Sequence, residues 1–170
     1  MDQSAAREMA ALVPRLRRFA YGLTGSLDAG DDLVQSTCER ALSRLHQWQA
    51  GTRLDSWMYR IMQNLWRDEL RAGRRREVAT DSETLDAMAG GDAEAEAAVR
   101  LDLATVRRRI ADLQPDQRAV LLLVSVEGQS YKEAAAILEV PIGTVMSRLA
   151  RARLALARAL EPAASPGGAA

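Results

Sequence analysis

Thr144, Ser147, Arg148 and Arg151 recur at three- and four-residue steps along a segment, Ile142 to Leu160, that contains no carboxylate. Hydroxyls and guanidiniums on one helical face are the groups that donate hydrogen bonds to phosphate oxygens and to base edges. Arg153 and Arg158 add positive charge to the same segment. A solvated helix usually mixes signs, gaining support from opposite charges four residues apart, whereas a helix facing phosphates excludes carboxylates. The chemistry is therefore recognition of an anion. Ile142, Val145, Leu149, Ala152 and Leu156 recur on the other side and predict a buried stripe. Just upstream, Ser130 and Glu133 have the spacing of a capping box, and Ala134, Ala135, Ile137 and Leu138 give a short apolar face. Val140-Pro141 ends that helix, because the residue before proline is pushed out of the helical region. A short helix, a tight turn and a second helix bearing arginines form the pattern of a helix-turn-helix that reads DNA. The plainer alternative is a helical hairpin with a wet arginine face, and the missing carboxylates weigh against it.

A second recognition pattern lies in the first half of the chain. Trp48, Trp57 and Trp66, all the tryptophans there are, fall within one loop-plus-helix segment together with Tyr59. The segment ends in Arg67, Arg71, Arg74, Arg75 and Arg76. Rings that stack on bases and arginines that follow phosphates suit single-stranded nucleic acid. Trp57 and Trp66 serve equally well as core residues of a small bundle. Trp48, in the polar loop Gln47–Arg53, is the better candidate for exposure.

The elements that must carry these groups read as helices. Arg7 to Leu23 is helical, with Pro14 marking a kink or a restart. Leu33, Val34, Thr37, Cys38, Ala41, Leu42 and Leu45 form an apolar stripe, and Asp28, Asp31 and Asp32 suit the positive end of that helix dipole. Leu54, Trp57, Met58, Ile61, Met62 and Leu65 begin a further amphipathic helix. Pro115 suits a first helical position, Ala119 to Val126 is strongly apolar, and Gly128 suits a helix end.

Composition agrees: 48% of residues are hydrophobic but only 4% aromatic, and little of the chain alternates with a strand period. The expectation is an all-α protein of two small helical domains, residues 1–76 and 98–161. An acidic, flexible linker (77–97) would join them and a disordered tail (162–170) would follow. The 23 basic and 23 acidic side chains cancel. A neutral chain with local basic patches implies weak DNA affinity alone and a partner that holds it there. One cysteine, Cys38, and one histidine, His46, exclude an internal disulfide and make a metal site implausible. No apolar run is long enough to cross a membrane, and Asp2, Arg7 and Glu8 are foreign to a signal peptide, so a soluble, cytoplasmic protein is expected. There is no glycine-rich phosphate loop and no nucleophile motif, so neither an enzyme nor a cofactor is expected.

Three stretches, in order, resemble the group IV, or extracytoplasmic-function (ECF), sigma factors of bacterial RNA polymerase. DAGDDLVQSTCERAL (28–42) resembles the family's polymerase-binding helix, and RLDSWMYRIMQNLWRDELRAGRRR (53–76) its promoter-melting segment. GQSYKEAAAILEVPIGTVMSRLARAR (128–153) is similar to its reader of the upstream promoter element. The resemblance implies that Asp32, Gln35 and Arg40 dock on core RNA polymerase. It implies that Trp48, Arg53, Trp57, Asn64, Arg67 and Arg71 face the −10 element, with Asp68 orienting neighbouring arginines. At the −35 element Arg148 and Arg151 would read bases, Thr144 and Ser147 would meet bases or phosphates, and Arg153 and Arg158 would meet phosphates. Met146 departs from the pattern, since many relatives carry arginine there and methionine donates no hydrogen bond. An anti-sigma factor is the further partner implied. Two rivals are a sigma-like decoy that binds an anti-sigma factor without touching DNA, and a free-standing helix-turn-helix regulator. The second leaves the amino-terminal half without a purpose.

Overall fold

The computed structural model describes residues 3–77 and 94–160, and among them all regular structure is helical. The expected linker lies largely, and the tail wholly, outside the described residues. The amino-terminal bundle comprises α1 (Gln3–Thr24), α2 (Leu27–Ser43), a 3-10 turn (Leu45–Gln47) and α3 (Leu54–Glu77). The carboxy-terminal bundle comprises α4 (Glu94–Ala111), α5 (Pro115–Leu121), a π-turn (Leu122–Val126), α6 (Tyr131–Leu138) and α7 (Ile142–Leu160).

Helix ends follow the local chemistry. Gly25, at φ 71°, ends α1, and the Ser26 side chain accepts from the Ala29 N–H to start α2. Gly30 lets the two helices close up, because a Cβ there would sit 2.3 Å from the Tyr21 ring. The Tyr21 hydroxyl donates to Asp31 at 2.7 Å across the same contact. The capping box forms as the sequence predicts: Ser130 Oγ accepts from the Glu133 N–H, and Glu133 accepts from the Ser130 N–H. The turn after α6 is made by Glu139 in the left-handed region (φ 56°), a conformation no glycine in the sequence signals. Val140 then donates to the Ala135 carbonyl, and Pro141 leads into α7.

Three expectations about the helices change. α1 runs unbroken through Pro14, so the helix does not restart there. Leu42 is 48% exposed, beyond the buried side of α2. Ile142 is 49% exposed and drops out of the α7 stripe, which Val145, Leu149 and Ala152 bury. At the first position of α7 nothing overhangs it.

The two bundles share one continuous apolar core. Leu16, Phe19, Leu23, Leu54, Met58 and Met62 from one side join Leu121, Leu122, Leu123, Ile137 and Leu149 from the other. Gly22 of α1 makes the close approach possible, since a Cβ there would lie 2.7 Å from a Leu122 methyl.

Candidate nucleic-acid interface

α7 presents three faces. Val145, Leu149 and Ala152 are buried. Ser147 and Arg151 are exposed beside the half-buried Thr144 and Arg148, on a surface that also carries Arg158. Ile142, Met146 and Leu154 form an exposed apolar side that Arg153 borders. Met146, 52% exposed, thus shares a side with Ile142 and Leu154, four and eight residues away. The capping box and the Glu139 turn set the angle between α6 and α7, and α5 supports α7 from behind.

Arg148 is the most constrained of the α7 arginines. Its Nη2 lies 2.7 Å from Asp116 Oδ2, and its side chain is 25% exposed. Ser147 Oγ donates to the Thr144 main-chain carbonyl at 3.1 Å, back along the first turn of α7.

The second cluster is built on α3 and the loop before it. Trp48 is half-buried against the core, and its indole N–H is buried without a hydrogen-bond partner. The polar loop suggested exposure; the 3-10 turn instead folds the ring inward. Trp57 is half-buried too, and Trp66 is buried with the Arg118 guanidinium 5.8 Å over its ring. Asn64 and Arg71 are exposed, Arg67 is half-buried, and Arg71 reaches Asp68 at 3.4 Å. Arg53 is pinned from two sides, by Asp55 (Nη2–Oδ2 2.6 Å) and by Glu133 of α6. The hydrogen bond to Asp55, then the charges of Asp55 and Glu133, raise the Arg53 pKa against the opposing effect of burial. Burial pushes the Asp55 carboxyl up, but the Arg53 hydrogen bond, the Ser56 N–H and the charges of Arg53 and Arg15 outweigh it and hold Asp55 below its usual value.

Asp32, Gln35 and Arg40 are all exposed along α2, and Gln35 donates to Glu39 at 3.0 Å. Asp32 is near enough to α3 that its charge, after burial, helps push the Glu69 carboxyl up. Cys38 is half-buried against the core, and burial raises its thiol pKa.

Sequence reasoning did not find Glu127. Its side chain is wholly buried, and it accepts from Arg18 Nε at 2.7 Å, Arg18 Nη2 at 2.9 Å and the Tyr59 hydroxyl at 2.6 Å. Arg15 Nε stands 3.5 Å away, and Arg15 Nη2 donates to the Glu127 carbonyl at 3.2 Å. These partners come from α1 and α3, so a carboxylate of the carboxy-terminal bundle is satisfied by the other bundle. The signal available in sequence was a lone acid closing an apolar run, Leu121 to Val126. Arg60 and Arg118 were missed as well. Arg60 donates to the Ala136 carbonyl at 2.9 Å, and Arg118 donates to the carbonyls of Leu23, Ala111 and Leu113.

An all-helical pair of bundles, one ending in a helix-turn-helix and the other carrying aromatics and arginines on one helix, defines a DNA-recognition protein. Residues 9–63 match the family described as the Sigma2 domain of PhyR, and residues 95–156 match Sigma-70, region 4. The chain is 38% identical over 164 residues to the ECF RNA polymerase sigma factor EcfG of Rhodopseudomonas palustris (strain TIE-1), covering 94% of this chain and 87% of that protein. Its fold matches the sigma factor RpoE of Bartonella quintana, solved in complex with the anti-sigma factor NepR, with a TM-score of 0.80. That match has 31% identity over 94% of this chain and 98% of the other. It also matches CnrH, solved with the cytosolic domain of CnrY, at TM-score 0.71 and 25% identity, covering 96% and 92%. The chain belongs to the ECF family of RNA polymerase sigma factors. No helix among the described residues is long and apolar enough to cross a membrane.

Proposed function

We propose that this chain binds core RNA polymerase and directs it to a particular set of promoters. Residues 1–76 act as region 2, 98–161 as region 4, 77–97 as the linker between them and 162–170 as a tail. The exposed groups of α2, Asp32, Gln35 and Arg40, dock on the polymerase. Trp48, Arg53, Trp57, Asn64, Arg67 and Arg71 meet the −10 element, where a base leaves the stack at a cost of a few kcal/mol. Stacking and polymerase anchoring offset that cost. Region 4 lays α7 in the major groove at the −35 element, Arg148 and Arg151 reading bases. Thr144, Ser147, Arg153 and Arg158 fix the register. The observation that carries this reading is the surface of α7 itself: hydroxyls and arginines, no acid, on a helix whose entry angle is set by a capping box.

The protein performs no chemistry of its own; phosphodiester formation belongs to the polymerase. It works in the cytoplasm and is restrained by an anti-sigma factor, as the complexes of its relatives with NepR and CnrY suggest. The arginines retained on α7 and α3 favour a working sigma factor over a decoy, which needs no DNA-reading groups. Replacing Arg148 and Arg151 by alanine tests this. Each bidentate base contact is worth about 1–3 kcal/mol of discrimination, so the pair should lower promoter-specific initiation about thirtyfold or more while core binding persists. Initiation that is unchanged in the double variant contradicts the reading.

A further inference from the structure

Beside the hydroxyls and arginines of α7 runs a second edge, and it is apolar. Ile142, Met146 and Leu154 are 49%, 52% and 52% exposed. Large apolar side chains standing singly at a surface are ordinary, but these three follow one line along the helix. Gly143 and Ala150, both exposed, lie between Met146 and Ser147 around the helix, so the strip beside Met146 carries no long side chain until Leu154. A Cβ at Gly143 would meet nothing within 4 Å, which leaves this part of α7 open to close approach. Guanidiniums border the strip on both sides, Arg153 on one and Arg151 with Arg158 on the other, and α7 carries no acid. An apolar strip with cations on both flanks fits the floor of a major groove between its two phosphate walls.

We infer that Met146 determines specificity by packing on the C5-methyl group of a thymine in the −35 element. This rests on the assignment of α7 to that element. Met146 lies in the second turn of α7, and in a helix-turn-helix the first turns of the second helix are the part that reaches base edges. Its thioether has no donor and is at best a weak acceptor. Set over a guanine or an adenine, it would strip water from the ring acceptors and give them no hydrogen bond in return. Set over a cytosine, it would do the same to the amino group. Thymine alone among the four bases shows an apolar group in the major groove, so it is the base that a methionine can favour. The unbranched, flexible side chain can follow that methyl as the helix settles between the phosphates. Ser147 and Arg151 then read hydrogen-bonding groups on one edge of α7 while Met146 reads shape and apolarity on the other.

The test uses holoenzyme assembled from core RNA polymerase and the full chain, with promoter fragments that it selects from a pool randomised across the −35 element. Each −35 thymine, on either strand, is replaced in turn by uracil, which removes the methyl and leaves every hydrogen-bonding group in place. Uracil at one thymine should weaken wild-type binding about fourfold, the worth of one buried methyl. Met146→Ala should bind the thymine and uracil fragments equally, and Met146→Leu, which keeps an apolar side chain, should still tell them apart. Both replacements are good helix formers at an exposed position, so the fold is kept, and circular dichroism checks it. A selected element without thymine, uracil fragments that all bind the wild type undiminished, or a uracil effect that persists in Met146→Ala each overturns the inference. So does a Met146→Ala variant that loses affinity for core polymerase while its promoter discrimination is intact, since the strip would then be a protein-docking surface. Selection without a methyl effect leaves the −35 assignment standing. A wild type that distinguishes no −35 sequences overturns that assignment, and this inference with it.

Discussion

Tyr59→Phe removes one oxygen from the most deeply buried polar contact between the bundles. Tyr59 is 1% exposed, and its hydroxyl donates to Glu127 at 2.6 Å. The ring remains, keeping its edge contact with Phe19 at 5.1 Å and the Arg15 guanidinium 5.7 Å above it. No cavity larger than an oxygen opens, so the loss is that of a hydrogen bond to a charged acceptor, about 1.5–3 kcal/mol. Glu127 keeps both Arg18 hydrogen bonds, which places the cost nearer the lower figure. In a chain of this size each kcal/mol moves the midpoint by roughly 2–4 °C, giving an expected fall of about 3–8 °C by circular dichroism. A pH arm sharpens the test. Burial, then the Glu127 hydrogen bond and charge, raise the Tyr59 pKa far above its ordinary 10.0. A raised pKa means that the contribution is complete below pH 10 and lost as pH climbs above it, at up to about 1.4 kcal/mol per pH unit. The stability difference between wild type and Tyr59→Phe should therefore shrink with pH above 10. Equal midpoints for the two proteins at pH 7, or a difference unaffected by alkali, would show that the hydroxyl does not meet Glu127 in solution.

Gly30→Ala should destabilise by about 1–3 kcal/mol in urea denaturation, because the new Cβ meets the Tyr21 ring at 2.3 Å; a neutral or stabilising effect would contradict the close α1–α2 packing. Ser130→Ala should cost about 1 kcal/mol by the same measurement, as the Glu133 N–H loses its cap, and no change would mean the capping box is not formed. Asp116→Ala frees Arg148 from its ion pair, so binding to −35 duplex by holoenzyme should strengthen modestly; weaker binding would indicate that Asp116 positions Arg148 for DNA.

The parts of this fold legible in sequence are those written in local chemistry. The Ser130–Glu133 box, the apolar stripe of α7 and the acidic start of α2 all rest on residues within a turn or two of one another. What escaped is what depends on distant partners. Glu127 reads as a surface acid until Arg15, Arg18 and Tyr59, more than sixty positions away, are seen to surround it. Trp48 reads as exposed because its neighbours are polar, yet the 3-10 turn brings its ring to the core. Ile142 keeps the period of the buried stripe but lies at the helix start, where no element reaches over it. Glu139 takes a positive φ normally given to glycine, so the turn between α6 and α7 was placed by Val140-Pro141 alone. The candidate site was visible as a set of residue types; that its two halves face each other was not.

The most direct test of the central claim is transcription in vitro by core RNA polymerase, with and without this protein, on a pool of promoter fragments. Selective initiation from a subset sharing −35 and −10 sequences, only when the protein is present, is the predicted result. Core polymerase that binds no protein, and an initiation pattern identical with and without it, would contradict the account.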